Sequence, residues 1–289
     1  MQTPVPILMY HAIAAVACER EAPYTTPPAA FAAQMHRLRD AGYSTLSQIE
    51  LISLWDRGES PPERSVIISF DDGFACLHDT ALPILLACGF RASAYPISGY
   101  LDRMARYDAD LGIPARPMLS RSQVCELHAA GIEIGSHSVN HPDLRTLSTA
   151  GLRYELERSR GDLEDLIGAP VLGFSYPRGL FNRSVHDGVG RAGYRWSYST
   201  RPGLNEGQTD RFALRRIEIG SRTGELDFDQ LLQKGAPTGR LIRDRWREKI
   251  IFLIATLHGR DPMDLYLQPL RRPFSGARSP AALRADEGA

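Results

Sequence analysis

Apolar residues fall along this chain in short runs separated by polar, glycine-bearing breaks. Val5–Tyr10 is the first such run, fit for a buried strand, and it delivers His11 at its end. Residues 12–28 are alanine- and proline-rich and read as a loop. Pro28 then opens a helical pattern through Phe31, Met35 and Leu38 that stops near Gly42. Ile49–Trp55 reads as a second short helix. Ser65–Phe70 is nearly continuous in apolar residues, the pattern of a parallel strand covered on both faces. A helical stretch, Phe74–Cys88, and a strand, Arg91–Ile97, follow Asp71-Asp72-Gly73 and complete a β–loop–α–β unit. Residues 98–118 form a longer polar excursion. Ser120 with Gln123 has the form of a capping box for a helix over 121–129, which Gly131 ends. Further strands are expected at Ile132–Gly135, Val171–Phe174, Tyr194–Ser199 and Leu214–Ile219, with a helix over 149–167 between the first two.

This alternation predicts a β/α barrel or an open α/β sheet, whose ligand sites lie beyond the carboxyl ends of the strands. Residues 220–240 lose the periodicity. Residues 241–258 regain it as an apolar helix with Arg243, Arg245, Arg247 and Lys249 near its start, and the last fifteen residues read as a disordered tail. The basic, apolar helix can lie on an anionic membrane surface, receive a partner protein, or pack as a terminal cap. Oligomeric state is not written in the pattern.

Composition narrows the classes. With 289 residues the chain can bury a large core without staples. The 34 basic and 34 acidic residues balance, so no global positive field argues for nucleic acid. Lys234 and Lys249 are the only lysines; the arginine excess reads as compositional bias. Cys18, Cys76, Cys88 and Cys125 form no CxxC pair, so neither a disulfide framework nor a sulfur zinc knuckle is expected. The opening MQTPVPILMYH lacks a secretory pattern and no apolar run is long enough to span a bilayer, so a cytoplasmic setting is expected unless a natural start is missing.

Three polar clusters each follow an apolar run. Asp71-Asp72-Gly73 places adjacent acids after a buried strand, which is costly unless they are paired or metal-bound; a simple DDG turn is the alternative. In His137-Ser138-Val139-Asn140-His141 two imidazoles at i and i+4 would share one face of a helical turn and reach one metal, or be two unconnected histidines. Asp72, His137 and His141 together would make a two-histidine, one-carboxylate site with open positions. Phe174-Ser175-Tyr176-Pro177-Arg178-Gly179 runs a strand into a proline-fixed turn that could aim a backbone N–H at an oxyanion, or be an ordinary β-turn.

In order and spacing, Ser69-Phe70-Asp71-Asp72-Gly73, Gly135-Ser136-His137 through His141-Pro142-Asp143-Leu144, and Tyr176-Pro177 with Gly179 resemble the motifs of the polysaccharide deacetylase family, the NodB-homology carbohydrate esterases of family 4. The likeness covers roughly residues 5–220. It implies an α/β fold, a distorted (β/α)7-type barrel over 1–220; the pattern beyond it reads as a C-terminal helical appendage over 221–289. The likeness also implies metal-dependent removal of acetyl groups, usually N-acetyl, from a sugar in a polysaccharide, oligosaccharide or glycoconjugate. By resemblance Asp71 is the general base, and Asp72, His137 and His141 hold one divalent metal ion, zinc first, with cobalt, nickel or manganese as alternatives. Ile7-Leu8-Met9-Tyr10-His11, Arg201-Pro202-Gly203-Leu204-Asn205 and Leu214-Arg215-Arg216-Ile217 look like the branch acting on poly-N-acetylglucosamine, where the N-terminal histidine is the acid. His11 is therefore expected as the proton donor, with His258 of Thr256-Leu257-His258 as the alternative.

Two departures stand out. Ser175 occupies the place of the arginine that orients the base in the common family form, and Arg216 is the candidate replacement. Arg178 stands where an aromatic is usual, and its side chain suits an anionic substrate group or plain solvent. Tyr176 and Pro177 are expected to line the acetyl pocket, with a packed aromatic at the strand end as the alternative for Tyr176, and Trp196 to stack on sugar or pack in the core. The runner-up functions are a related C–N hydrolase of a small amide or a nucleotide- or lipid-linked sugar, and a non-catalytic sugar-binding relative. The intact Asp71, Asp72, His137 and His141 weigh against the last.

Overall fold

The computed structural model describes residues 3–105 and 114–236. The 241–258 helix, the tail and His258 lie outside the described residues.

Apolar runs become parallel strands that close on themselves. Strand β1 (Ile7–Tyr10) pairs with β2 (Ser65–Asp72), which pairs with β3 (Ser93–Pro96), which pairs with β4 (Glu133–Ile134). The ring continues through a parallel bridge, Ser136 to Phe174, into β5 (Gly173–Ser175) and then β6 (Trp196–Tyr198). A second parallel bridge, Tyr198 to Leu214, leads to β7 (Ile217–Glu218), which pairs back onto β1 at Leu8. Among the described residues this makes a seven-stranded parallel barrel, distorted where single bridges replace full ladders. Every residue of β1 and β2 is buried, as their continuous apolar patterning requires.

Helices surround the ring: α1 (Pro28–Asp40), α2 (Gln48–Asp56), α3 (Leu82–Ala87), α4 (Arg121–Ala129), α5 (Thr149–Arg153), α6 (Ser159–Ile167), α7 (Arg183–Arg191) and α8 (Glu225–Lys234). The Ser120–Gln123 capping box forms: Gln123 N donates to Ser120 Oγ at 3.1 Å and Ser120 N to Gln123 Oε1 at 2.9 Å. Such a cap contributes about 1 kcal/mol. Two of the expected helices contain π turns, Leu77–Ala81 ahead of α3 and Tyr154–Arg158 between α5 and α6. Helix α8 falls where periodicity is weak; it buries Phe228, Leu231 and Leu232, and Asp229 pairs with Arg37 of α1. The polar excursion contains an antiparallel pair, Met104–Ala105 with Arg116–Pro117.

Large aromatics fill the barrel interior opposite glycines. A Cβ on Gly135 would lie 2.1 Å from Tyr95 Cε1, and one on Gly173 would lie 2.4 Å from Trp196 Nε1. Tyr95, Trp196 and Tyr198 are buried together with Ile7, Ile67 and Leu214, and with Leu51, Ile52 and Trp55 of α2. Trp196 Nε1 donates to the Tyr95 hydroxyl at 3.1 Å, and the Tyr198 hydroxyl donates to Gln48 Oε1 at 2.7 Å. This packed column forms the floor on which the carboxyl-end residues stand.

Candidate metal centre and active site

Strand β2 carries Asp71 and Asp72 to its carboxyl end, in register with Tyr95 and Pro96 of β3. Alternation alone would send the two acids to opposite faces. The chain turns instead, with Asp72 at φ 69° and Gly73 at φ 84°. A Cβ on Gly73 would sit 2.8 Å from Pro96 Cα, so glycine is required for this turn. The turn lets Asp71 point at Arg216 and Asp72 at two histidines.

Asp71 is buried and held from three donors. Arg216 Nη1 donates to Oδ1 at 2.8 Å, Nη2 donates to Oδ2 at 2.6 Å, and Ser175 Oγ donates to Oδ2 at 2.9 Å. A carboxylate has about four acceptor positions, so one remains for a water or substrate proton. Arg216 is itself buried. Its Nε donates to the Ser199 carbonyl at 3.1 Å, its Nη2 donates to Ser175 Oγ at 2.9 Å, and its guanidinium lies 4.9 Å above the Tyr198 ring. Serine at 175 thus leaves room for an arginine arriving from the start of β7. Burial pushes the Asp71 pKa up, but the charges of Arg216 and His137 outweigh it and hold the carboxyl below its ordinary value.

Asp72, His137 and His141 converge, all buried. His137 Nε2 lies 3.4 Å and His141 Nε2 3.7 Å from Asp72 Oδ1, and the three ligand atoms all lie within 4.8 Å of one another. Two ligands about 2.0–2.1 Å from a tetrahedral ion are roughly 3.3 Å apart, so the spacing fits a first-row divalent metal. His137 Nδ1 contacts the Ser175 carbonyl at 2.8 Å, which assigns the proton to Nδ1 and leaves the Nε2 lone pair facing Asp72. Burial and the neighbouring His137 push His141 down to about 3, so its imidazole is neutral, as a ligand must be. Burial opposes charge on Asp72, but the nearby His137, His11 and His141 hold its carboxyl well below the ordinary range.

The HSVNH segment is not a helical turn. It is a loop in which Ser138 (φ 67°) and His141 (φ 57°) are left-handed, so the two rings meet through loop geometry, with centroids 4.9 Å apart, rather than through helical i,i+4 spacing. The loop has its own ties. Ser138 Oγ accepts from His141 N at 3.0 Å. Glu155, a buried residue that no sequence pattern singled out, accepts from the Val139 and Asn140 amides.

His11 follows β1 at the same end of the barrel. Its ring meets Tyr24 edge-on at 5.4 Å, and its Nδ1 is buried with no hydrogen-bond partner among the described residues. Pro177 is buried in the turn after β5, and Arg178 is exposed at φ 55°, near enough for its charge to depress the His141 pKa. Two expected substrate contacts are corrected. Trp196 is 1% exposed and packed over Gly173, so no ring face is open to a sugar. Tyr176 is fully buried; its hydroxyl donates to the Phe212 carbonyl at 2.9 Å and accepts from Ser197 Oγ, and its ring stacks on Phe181. That hydroxyl is committed to holding the β5–β6 edge.

Comparison with known proteins agrees with this geometry. The family model described as polysaccharide deacetylase matches residues 58–197. YxkH of Bacillus subtilis (strain 168), named for the same family, is 28% identical over 215 residues, covering 74% of this chain and 71% of its own. The poly-beta-1,6-N-acetyl-D-glucosamine N-deacetylase of Staphylococcus aureus (strain N315) is 24% identical over 185 residues, 61% of each chain. The solved structure of the Streptococcus pyogenes deacetylase PplD in complex with acetate superposes with a TM-score of 0.69 at 27% identity, covering 82% of this chain and all of that one. The barrel is consistent with the distorted NodB-homology barrel of the carbohydrate esterases, and its carboxyl-end cluster lies within the matched residues. The chain is similar to the polysaccharide deacetylase family, and that likeness together with the buried Asp72–His137–His141 cluster supports a metal-dependent carbohydrate deacetylase activity.

Proposed function

We propose that this chain hydrolyses the N-acetyl amide of an N-acetylated sugar residue in a polysaccharide, oligosaccharide or glycoconjugate. The observation that carries the reading is the Asp71 carboxylate, fixed by Arg216 and Ser175 one residue from Asp72 and beside the two histidines. The N-acetylglucosamine polymer named for the staphylococcal relatives supports the same class of substrate.

Asp72, His137 and His141 would hold the ion. Two imidazoles and one carboxylate suit zinc, and cobalt, nickel and manganese accept the same donors. When bound, the ion supplies Lewis acidity, polarising the acetyl carbonyl and making water acidic near neutral pH. Asp71 takes the proton of the attacking water with its remaining acceptor position. Arg216 and Ser175 orient that carboxylate and keep it charged, trading some basicity for position. His11 gives a proton to the leaving amine; its place directly after β1, at the same end of the barrel as both acids, supports that role. The Pro177–Arg178–Gly179 turn, left-handed at Arg178 and Gly179, supports the Arg178 amide as a donor to the oxyanion. The Arg178 side chain, exposed at the rim, would meet substrate groups beyond the acetyl.

The test is acetate release, with added divalent metal, across polymeric, oligomeric, lipid-linked and nucleotide-linked N-acetyl sugars. At least one is expected to release acetate. Asp71→Asn should keep its metal and lose turnover, and no release from any member would refute the reading.

A further inference from the structure

The metal-ligand loop has two left-handed residues, and left alone such a backbone would relax. What holds it is a carboxylate from the neighbouring helical layer. Glu155 Oε2 accepts from the Val139 amide at 2.8 Å and the Asn140 amide at 3.0 Å, and Oε1 accepts from Asn140 Nδ2 at 2.8 Å. The side chain is buried, and the two amides lie midway between the ligands His137 and His141. The other side of the loop is pinned by backbone: the Ser138 carbonyl accepts from Ser98 N at 3.1 Å and the Val139 carbonyl from Gly99 N at 3.0 Å.

Glu155 sits in the π turn Tyr154–Arg158. A π turn inserts an extra residue into a helix and re-aims the side chains beside it, and such turns recur at functional sites. The same turn is tied to the residue before His137, because Ser136 Oγ donates to Ser159 Oγ at 2.8 Å and Ser159 Oγ donates to the Glu155 carbonyl at 2.7 Å. Helix and loop therefore interlock at two points, one on each side of His137.

We propose that Glu155 is a positioning residue for the metal centre: its carboxylate fixes the Val139–Asn140 backbone and thereby the separation of the His137 and His141 imidazoles. It touches neither metal nor substrate. The inference rests on the reading of Asp72, His137 and His141 as the metal ligands. It requires acceptor geometry rather than charge. Glutamine keeps one oxygen for the two amides, and the Asn140 carboxamide can turn its own oxygen toward the new NH2 group, whereas alanine leaves both amides buried without an acceptor.

The experiment measures Zn2+ affinity of the full chain by competition with a chromophoric chelator, alongside thermal unfolding of each metal-free variant. Wild type is expected to bind one ion and His137→Ala to lose it; wild type without an ion overturns the ligand reading and this inference with it. Glu155→Ala is expected to bind Zn2+ about 10–100-fold more weakly while still unfolding cooperatively, the range seen for groups that orient metal ligands. Glu155→Gln is expected to stay within about threefold of wild type on the same grounds. Wild-type affinity in Glu155→Ala, or equal losses in Glu155→Ala and Glu155→Gln, would overturn the inference while leaving the ligand assignment standing. If Glu155→Ala yields no folded chain, Glu155→Asp, one methylene shorter, carries the same expected loss and the same refutation.

Discussion

Replacing Arg216 with methionine would leave Asp71 as a buried carboxylate with Ser175 as its remaining side-chain partner. The pair is fully enclosed, with side-chain exposures of 0% and 3%, and two charge-assisted hydrogen bonds of 2.8 and 2.6 Å are lost. Breaking such a pair from one side costs about 3–5 kcal/mol at neutral pH, because the abandoned charge keeps its desolvation cost. In the native protein the Asp71 pKa lies below its ordinary value, so its contribution to stability is present above the unfolded-state value and lost as pH falls through the folded one. In Arg216→Met burial acts with far less opposition, so the pKa rises once the adjacent opposite charge is lost. Protonation then removes the offending charge, so the gap between the variant and wild type should narrow as pH falls. Urea unfolding at pH 7.5 and pH 5 reads this directly. Acetate release at pH 7.5 should fall by at least about 100-fold, since the base is displaced as well as partly protonated. A stability loss below about 1 kcal/mol, or one that is the same at both pH values, would refute the claim that Arg216 holds Asp71 as an ion.

Other expectations follow from the same contacts. His11→Ala should lower turnover by about 10²–10⁴-fold with metal content unchanged, the range for removing a positioned proton donor; acetate release with metal analysis on one preparation decides it. Burial raises Glu133 at the base of the barrel to about 7, although it accepts the Gln48 and Ile49 amides. The native state therefore holds a proton there that the unfolded chain has released, and stability should fall by on the order of 3 kcal/mol as pH rises from about 4.5 to 7. Glu133→Gln should flatten that slope in urea titrations. Trp196→Phe should lower stability by about 1–2 kcal/mol through the buried hydrogen bond lost to the Tyr95 hydroxyl and leave KM unchanged, separating core packing from sugar stacking.

The barrel was legible because its strands are buried on both faces and so read as unbroken apolar runs: Ser65–Phe70 extends to Asp72 in β2 with every residue covered. The loop that carries the histidines was not. Spacing of i and i+4 suggests a helix, but Ser138 and His141 adopt left-handed backbone under long-range restraint from Glu155, which local pattern cannot register. Ser175 in place of an arginine looked like a defect in one motif. Arg216, 41 residues later, was the replacement the motif suggested, and the structure brings it from another strand onto both Asp71 and Ser175. Trp196 lies next to a polar strand end in sequence, yet the glycine at 173 across the ladder draws it inward. Helix α8 escaped notice because three buried residues, Phe228, Leu231 and Leu232, are a thin stripe for ten positions.

The central claim is that Asp72, His137 and His141 hold the ion on which deacetylation depends. Its most direct test removes metal from the full chain with a chelator, assays acetate release on the sugar found to be a substrate, and adds back a divalent ion in measured steps. Release should stop on removal and return in full at about one ion per chain, with His137→Ala unrescued at that ratio. Release that persists in metal-free protein, or a wild-type chain that binds no divalent ion, would contradict it.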